Sequence, residues 1–158
     1  MKPRLYLETS IISYLAALPS RDLIVAAHQQ ITQEWWTERR DRYDLFVSEL
    51  VIQEIEMGNQ DAARRRLALL EAVPVLMLDD KTILLGEKLH QFTNLPAKAN
   101  ADSLHIALAA SYRMDFLLTW NCRHIANGRT RRAVDEALRT QEMVSPIIVT
   151  PEELPEED

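Results

Sequence analysis

Three carboxylates and one carboxamide, scattered along the chain, could together bind a divalent cation. These residues are Glu8, Glu54, Asp102 and Asn121. Carboxylates held close together repel one another and raise each other's pKa values, and a divalent cation removes that penalty. Ligation by oxygen alone favours Mg²⁺ or Mn²⁺ over zinc. Such an ion can activate a water and neutralise charge that develops on a phosphoryl group. The residue types therefore indicate hydrolysis of a phosphate ester, provided that the fold brings them together.

Asp102 lies in segment 98–110, in which the spacing of the apolar residues predicts a helix. Asn100 is a good N-cap candidate, which places Asp102 in the first turn, where the helix dipole favours negative charge. This segment alone favours a carboxylate that caps the helix over one that binds metal. His105 lies one turn further along and is more typical of a packed or supporting histidine than of a ligand.

Glu54 falls in a predicted helix over 49–57, four and three residues after Leu50 and Val51. The carboxylate therefore shares part of the apolar face of this helix, and we expect it to point inward or to lie at the rim of the core. A surface glutamate at the edge of the apolar stripe is the simpler alternative.

Short apolar strands alternate with amphipathic helices along the chain. The predicted strands are 4–7, 43–47, 74–78, 115–120 and 147–149, and the longer predicted helices are 22–40, 49–57, 61–73, 79–92, 100–110 and 130–138. This alternation predicts an α/β fold with a mostly parallel sheet. Sites in such sheets form beyond the carboxyl ends of the strands. Glu8 and Asn121 each follow a predicted strand, so we expect them at that edge.

The composition predicts one globular domain. At 158 residues, with 47% hydrophobic and 27% charged residues, the chain is typical of a soluble protein. Its single cysteine, Cys122, excludes an internal disulfide and favours the cytoplasm. We found no signal-peptide pattern and no apolar window long enough to cross a membrane.

The net charge of −6 argues mildly against nucleic acid until the acidic residues are located. Five of the 24 acidic residues lie in the last seven positions, so the rest of the chain is nearly neutral. We therefore predict a domain over residues 1–150 and an acidic tail over 151–158. Arginines cluster at 39–40, 64–66 and 129–132. They could form a phosphate-binding face, although separate solvated helix faces are the simpler interpretation.

Other catalytic sites have weaker support in the sequence. With three glycines in the chain there is no Gly-rich phosphate loop. Cys122 and His124 lack a second Cys/His pair that would complete a zinc site. Cys122 could be a nucleophile, but a lone cysteine after a strand is usually inert. His124 could contact a phosphate or merely cap a turn.

Four segments carry a resemblance to a known family. They read LYLETS at 5–10, SELVIQE at 48–54, ADSLHIA at 101–107 and LLTWNCRHI at 117–125. In this order and spacing the chain resembles the PIN domain family, and most closely the toxin-like (VapC-type) proteins of bacterial type II toxin–antitoxin pairs. The resemblance spans nearly the whole chain. It implies a three-layer α/β/α sandwich with a parallel central sheet, and Mg²⁺- or Mn²⁺-dependent cleavage of RNA.

The resemblance also implies roles for individual residues. Glu54 and Asp102 match acidic metal-site positions of the family. Glu8 stands where the family usually has aspartate, so the longer side chain must displace the ion or bind it through water. Asn121 stands where a fourth acid is common, and it can ligate through its carbonyl without adding charge. Thr9 or Ser10 is expected to orient the acidic cluster or a metal-bound water.

The leading hypothesis is a metal-dependent endoribonuclease in which Glu8, Glu54 and Asp102 hold the metal and Asn121 assists. The first candidates for contact with substrate, or for support of the site, are Lys98, His105, Arg123 and His124. One alternative is a PIN-like module that binds RNA or a protein partner without cleaving. Another is a metal-dependent phosphohydrolase of small molecules, which a deep closed pocket would favour.

The family resemblance further suggests partners. A homodimer is expected, with Trp35 and Trp36 as candidates for an exposed apolar patch. If an antitoxin exists, we expect its peptide to lie along the groove beside the predicted helix 22–40.

Overall fold

A parallel sheet flanked by helices organises the molecule in the computed structural model, which describes residues 1–156. Glu157 and Asp158, the end of the predicted acidic tail, lie outside the described residues. The strands are β1 (Arg4–Leu7), β2 (Asp44–Ser48), β3 (Val75–Leu76), β4 (Phe116–Leu118) and β5 (Ile147–Val149). The helices are α1 (Thr9–Ala16), α2 (Leu23–Glu38), α3 (Glu49–Glu56), α4 (Gln60–Leu69), α5 (Asp80–Thr93), α6 (Asn100–Ser111) and α7 (Gly128–Thr140). Short 3-10 turns occupy Arg40–Arg42 and Ala97–Ala99.

All strand pairs are parallel, and their order is β3-β2-β1-β4-β5. Helices α1–α4 pack among themselves, as do α5–α7, and the right-handed crossovers expected between parallel strands put the two groups on opposite faces of the sheet. The predicted three-layer α/β/α sandwich is therefore confirmed. The strand order reverses between β1 and β4, and ligands bind to such sheets in the crevice at the reversal. The expected site is thus beyond Leu7 and Leu118, which pair in register.

The central strands and α6 form the core of the protein. Residues 5–7 of β1 and 117–118 of β4 are fully buried, because helices cover both faces of the sheet. Residues 106–110 of α6 are buried almost all round. Gly86 of α5 permits close approach to α6, because a Cβ added there would lie 2.7 Å from Leu104 Cδ2. This packing fixes the position of the start of α6, which carries two of the predicted site residues.

Some predicted helix and strand ends differ from the structure. Asn100 is not the N-cap of α6, because the 3-10 turn runs straight into the helix and Asn100 already has helical dihedral angles. Ala99 takes the cap position without a side-chain hydrogen bond, while Asp102 still lies in the first turn. The predicted helix 61–73 is too long: α4 ends at Leu69, five residues before Pro74, which disfavours helical backbone at Val73.

The prediction that Trp35 and Trp36 form an exposed apolar patch is also partly wrong. Trp35 is fully buried, because it lies on the face of α2 that packs against the core and beside Tyr43. Trp36 is half-buried, and the Arg40 guanidinium covers its ring at 4.7 Å. The tryptophan pair therefore contributes packing area within the monomer.

Arginines of the predicted basic clusters form ion pairs with acids near the C-terminal end. Arg131 contacts Glu153 at 2.6 Å, and Arg39 lies 3.9 Å from Glu156. Leu154 between these acids is buried in the core. These pairs reduce the positive charge that the two clusters present to solvent. Within residues 1–156, no helix is both long enough and apolar enough to cross a bilayer.

The end of α6 provides a test of backbone strain. Arg113 has a φ of 55°, and Met114 N–H donates to the Ala109 carbonyl at 2.9 Å, as in a Schellman motif. The left-handed conformation costs a non-glycine residue about 1–2 kcal/mol. Arg113→Gly relieves this strain, but glycine also gains entropy in the unfolded chain, which offsets part of the gain. We therefore expect the free energy of unfolding in urea to rise by about 0.5–1 kcal/mol. Arg113→Ala keeps the Cβ and should leave stability unchanged. Equal stability of the two variants would contradict this account.

Candidate metal centre

The four predicted site residues, three acids and one amide, reach the same edge of the sheet from four different parts of the chain. Glu8 directly follows β1 and caps α1, and its backbone N–H donates to the Leu118 carbonyl at 3.0 Å. Glu54 lies on α3, and Asp102 lies in the first turn of α6. Asn121 follows β4. The edge is the one at which the strand order reverses, as expected for a ligand site.

Hydroxyl groups hold the carboxylate of Glu8 in place. Its Oε1 accepts hydrogen bonds from Ser10 Oγ and Thr119 Oγ1, both at 2.5 Å, and its Oε2 accepts from Ser10 N–H at 3.1 Å. Glu8 is only 6% exposed. A buried carboxylate is costly unless donors satisfy it, and these three donors fix its orientation.

A chain of buried polar groups supports Glu54. Its Oε1 accepts from Thr9 Oγ1 at 2.8 Å and contacts His105 Nε2 at 2.5 Å. On the other side of the ring, His105 Nδ1 is hydrogen-bonded to the Tyr6 hydroxyl at 2.7 Å. That hydroxyl is in turn hydrogen-bonded to Ser48 Oγ at 2.8 Å. Tyr6, Ser48 and His105 are at most 1% exposed, so each depends on the others for its partners.

The charges around His105 and Glu54 favour the ionised form of both side chains. Burial by itself would lower the pKa of His105, but the hydrogen bond to Glu54 and the charges of Glu8, Glu54 and Asp102 together raise it. For Glu54, burial opposes ionisation, yet the bonds from His105 and Thr9 lower its pKa overall. Carboxylate and imidazolium thus stabilise one another.

Asp102 is held by a separate pair of partners. Asn121 Nδ2 donates to its Oδ1 at 2.9 Å, and His124 Nδ1 contacts its Oδ2 at 3.0 Å. Asn121 also accepts from His124 N–H at 3.0 Å, which fixes the turn after β4. Burial raises the pKa of Asp102 in spite of His124, and the negative charge of Glu8 adds to the rise. The carboxylates of Asp102 and Glu8 are therefore close enough to repel each other.

The structure brings together two of the three predicted metal carboxylates and adds a histidine. Ligand atoms of Glu8, Glu54 and His105 all lie within 4.8 Å of one another. Asp102 adjoins this group without belonging to it. In the described part of the chain, these three carboxylates have no arginine or lysine as ion-pair partner, only histidines. Carboxylate oxygens with no permanently charged partner, together with an imidazole nitrogen, suit a divalent cation.

The remaining predicted residues fall into two groups. Thr9 and Ser10 each donate to a different carboxylate of the site. His124 contacts Asp102 and is 17% exposed at its side chain. Lys98 and Arg123 are exposed, in the turn before α6 and in the loop after β4, and within residues 1–156 the site carboxylates form ion pairs with histidines and not with these two side chains.

Sequence reasoning missed Tyr6 and Thr119 and gave Ser48 only part of its role. Ser48 caps α3 as predicted, accepting from Val51 N–H at 3.3 Å, and it also contacts Tyr6. A tyrosine in a buried strand is a useful signal, because its hydroxyl needs a polar partner. Cys122 is exposed, and partial desolvation of the thiol together with nearby Glu153 raises its pKa. It is therefore not an activated thiolate.

Comparison with known proteins adds independent findings. A family model described as PIN domain matches residues 5–128, a range that includes all four predicted site residues. No curated protein matched the chain. Among solved structures, the chain is similar to one in the crystal structure of VapBC2 from Rickettsia felis bound to a DNA fragment from their promoter. The TM-score is 0.58 at 14% identity, over 92% of this chain and 97% of that one. At this identity the likeness shows a shared fold.

The buried chain of polar groups makes a testable contribution to stability. Tyr6→Phe removes one partner from both His105 and Ser48, and we expect the free energy of unfolding to fall by about 1–3 kcal/mol. Tyr14→Phe is the matched control, because Tyr14 is half-buried and its hydroxyl makes no hydrogen bond within residues 1–156. Denaturant unfolding of both variants measures the difference. Similar losses in the two variants would count against a structural role for the Tyr6 hydroxyl.

Proposed function

This chain belongs to the PIN domain family, and on that premise we propose that it is a toxin-like endoribonuclease that hydrolyses phosphodiester bonds of RNA with a divalent cation. The observation that carries the proposal is the convergence of Glu8 and Glu54 at the sheet reversal without a basic partner other than histidine. Such a concentration of negative charge is costly unless it binds a cation.

Glu8, Glu54 and Asp102 would hold Mg²⁺ or Mn²⁺, with Asn121 assisting. When bound, such an ion makes a water more acidic and neutralises charge on the phosphoryl oxygens. The chain prepares the carboxylates for this role. Thr9 binds Oε1 of Glu54, whose Oε2 makes no hydrogen bond within residues 1–156, so one oxygen stays available to a cation. Glu8 Oε2 accepts a single hydrogen bond, from Ser10 N–H.

Cationic side chains around the rim would bind the RNA backbone. Lys98 and Arg123 are exposed on the two segments that flank Asp102 and Asn121. His124 is oriented by Asp102 through Nδ1, so its Nε2 is the ring nitrogen that can contact a phosphate. In this arrangement the contacts to the RNA backbone would position the scissile phosphate beside the carboxylates that hold the cation.

A PIN-like module that binds RNA or a protein without cleavage is the second candidate. The observation that favours it is the occupancy of both Asp102 oxygens by Asn121 and His124, which leaves Asp102 less available to a cation. Hydrolysis of small molecules has less support. A cavity of about 850 Å³ lies at the opposite edge of the sheet, beside Asp79, Arg113 and Val144, and none of the acidic site residues lines it.

We also propose an antitoxin protein as partner, a homodimer and a cytoplasmic location. The solved structure noted above is a VapBC2 complex. An antitoxin peptide beside α2 would meet Leu18, Leu23 and Ile24, which are 70–85% exposed around the start of that helix. Residues 1–150 would form the functional domain, and 151–158 an acidic segment whose Leu154 packs into the core.

Asp102→Asn tests catalysis. The change keeps the shape of the side chain but removes its charge, so we expect cation-dependent cleavage of single-stranded RNA to fall on the order of 100-fold or more. Circular dichroism and thermal melting should show a folded protein. Asp41→Asn is the control, because Asp41 is 94% exposed in the turn before β2, at the opposite edge of the sheet. Equal cleavage by Asp102→Asn and the parent protein would contradict the proposal.

A further inference from the structure

We infer that His105 is itself a ligand of the cation through Nε2, and that this nitrogen makes the site prefer Mn²⁺ to Mg²⁺. The inference rests on the proposed function and amends it in one respect: Glu8 and Glu54 remain ligands, and His105 takes the place given there to Asp102. His105 Nε2 lies 2.5 Å from Glu54 Oε1 and 4.0 Å from Glu8 Oε2. The nitrogen therefore faces both carboxylates, and its ring is 1% exposed.

The other ring nitrogen is held in the way that metal-binding histidines usually require. Such histidines generally make a hydrogen bond through the nitrogen that does not bind metal, and this bond fixes the orientation of the ring. Here Nδ1 is bonded to the Tyr6 hydroxyl at 2.7 Å, and Tyr6 is bonded to Ser48 at 2.8 Å. Tyr6 and Ser48 have no exposed surface, and the α6 residues that follow His105 are buried. The ring cannot turn away from the carboxylates.

The three ligand atoms need little rearrangement to surround an ion. Metal–ligand bonds of about 2.1 Å in octahedral geometry put adjacent ligand atoms about 3 Å apart. The 4.0 Å distance from Nε2 to Glu8 Oε2 already exceeds that spacing, whereas the 2.5 Å contact with Glu54 Oε1 must open. As the ion binds, Nε2 releases its proton to solvent, because only the neutral imidazole can ligate. The Glu54 side chain is 31% exposed, and its Oε2 is free of described hydrogen bonds, so its carboxylate can rotate.

A nitrogen donor changes the preference for metal. Mg²⁺ takes oxygen ligands and gives up its waters reluctantly, whereas imidazole nitrogen suits transition ions. Two carboxylates and one imidazole therefore favour Mn²⁺ over Mg²⁺ more strongly than three carboxylates would. Asp102, the third predicted carboxylate, is already bonded to Asn121 and His124. The donor that completes the group around Glu8 and Glu54 is the nitrogen of His105.

Electron paramagnetic resonance of bound Mn²⁺ tests the inference directly. The full chain is titrated with Mn²⁺, and the hyperfine coupling between Mn²⁺ and nearby nitrogen nuclei is measured by electron spin-echo envelope modulation. We expect a ¹⁴N coupling that changes to the ¹⁵N pattern when only the histidines carry ¹⁵N. We expect His124→Asn to retain this coupling. His105→Asn should lose it, bind Mn²⁺ at least about 10-fold more weakly, and discriminate less between Mn²⁺ and Mg²⁺ in competition titrations.

The outcomes separate this inference from the function on which it rests. Bound Mn²⁺ with no histidine coupling would overturn the nitrogen ligand and leave an oxygen-only site in place. If the coupling is lost in His124→Asn but kept in His105→Asn, the nitrogen ligand is His124, which would overturn the inference as well. Absence of Mn²⁺ binding by the parent protein would contradict the proposed function itself. If His105→Asn fails to fold, the ¹⁵N-histidine experiment on the His124→Asn protein decides.

Discussion

Repulsion among Glu8, Glu54 and Asp102 is the constraint on which the site depends. The carboxyl end of β1, helix α3 and the start of α6 bring these charges to one rim, where burial intensifies their interaction. Within the described residues, His105 provides compensating positive charge, and His124 and the hydroxyls of the β1–α1 and β4 segments provide hydrogen bonds. Histidine suits this role because neighbouring carboxylates favour its protonated form, and because it can release its proton when a divalent cation binds.

The rest of the fold holds these carboxylates and their hydrogen-bonding partners in one geometry. Tyr6 extends from the most buried strand to hold His105, and His105 holds Glu54, so the sheet and two helices are joined through one line of polar groups. Removing a member would leave buried polar atoms without partners, which costs about 1–3 kcal/mol for each. The close contact between α5 and α6 at Gly86 holds the start of α6 against this line.

Much of this arrangement was predictable, and the failures have physical causes. The alternation of strands and helices was sufficient to predict the parallel sheet. The position of Glu8 and Asn121 directly after strands was sufficient to place them at its edge. The pairing of His105 with Glu54 was not, because it joins residues 51 positions apart through tertiary packing that local periodicity does not encode. Asn100 has the right chemistry for a cap, but the preceding 3-10 turn draws it into the helix. Trp35 was misplaced because an aromatic pair does not reveal which member faces the core.

Anomalous diffraction from crystals soaked in Mn²⁺ tests most directly whether these side chains form a cation site. The account predicts one anomalous peak within about 2.3 Å of oxygens from both Glu8 and Glu54, with the contact between Glu54 and His105 opened to admit the ion. Well-ordered crystals at saturating Mn²⁺ that show no peak there, with Glu54 still bonded to His105, would contradict it.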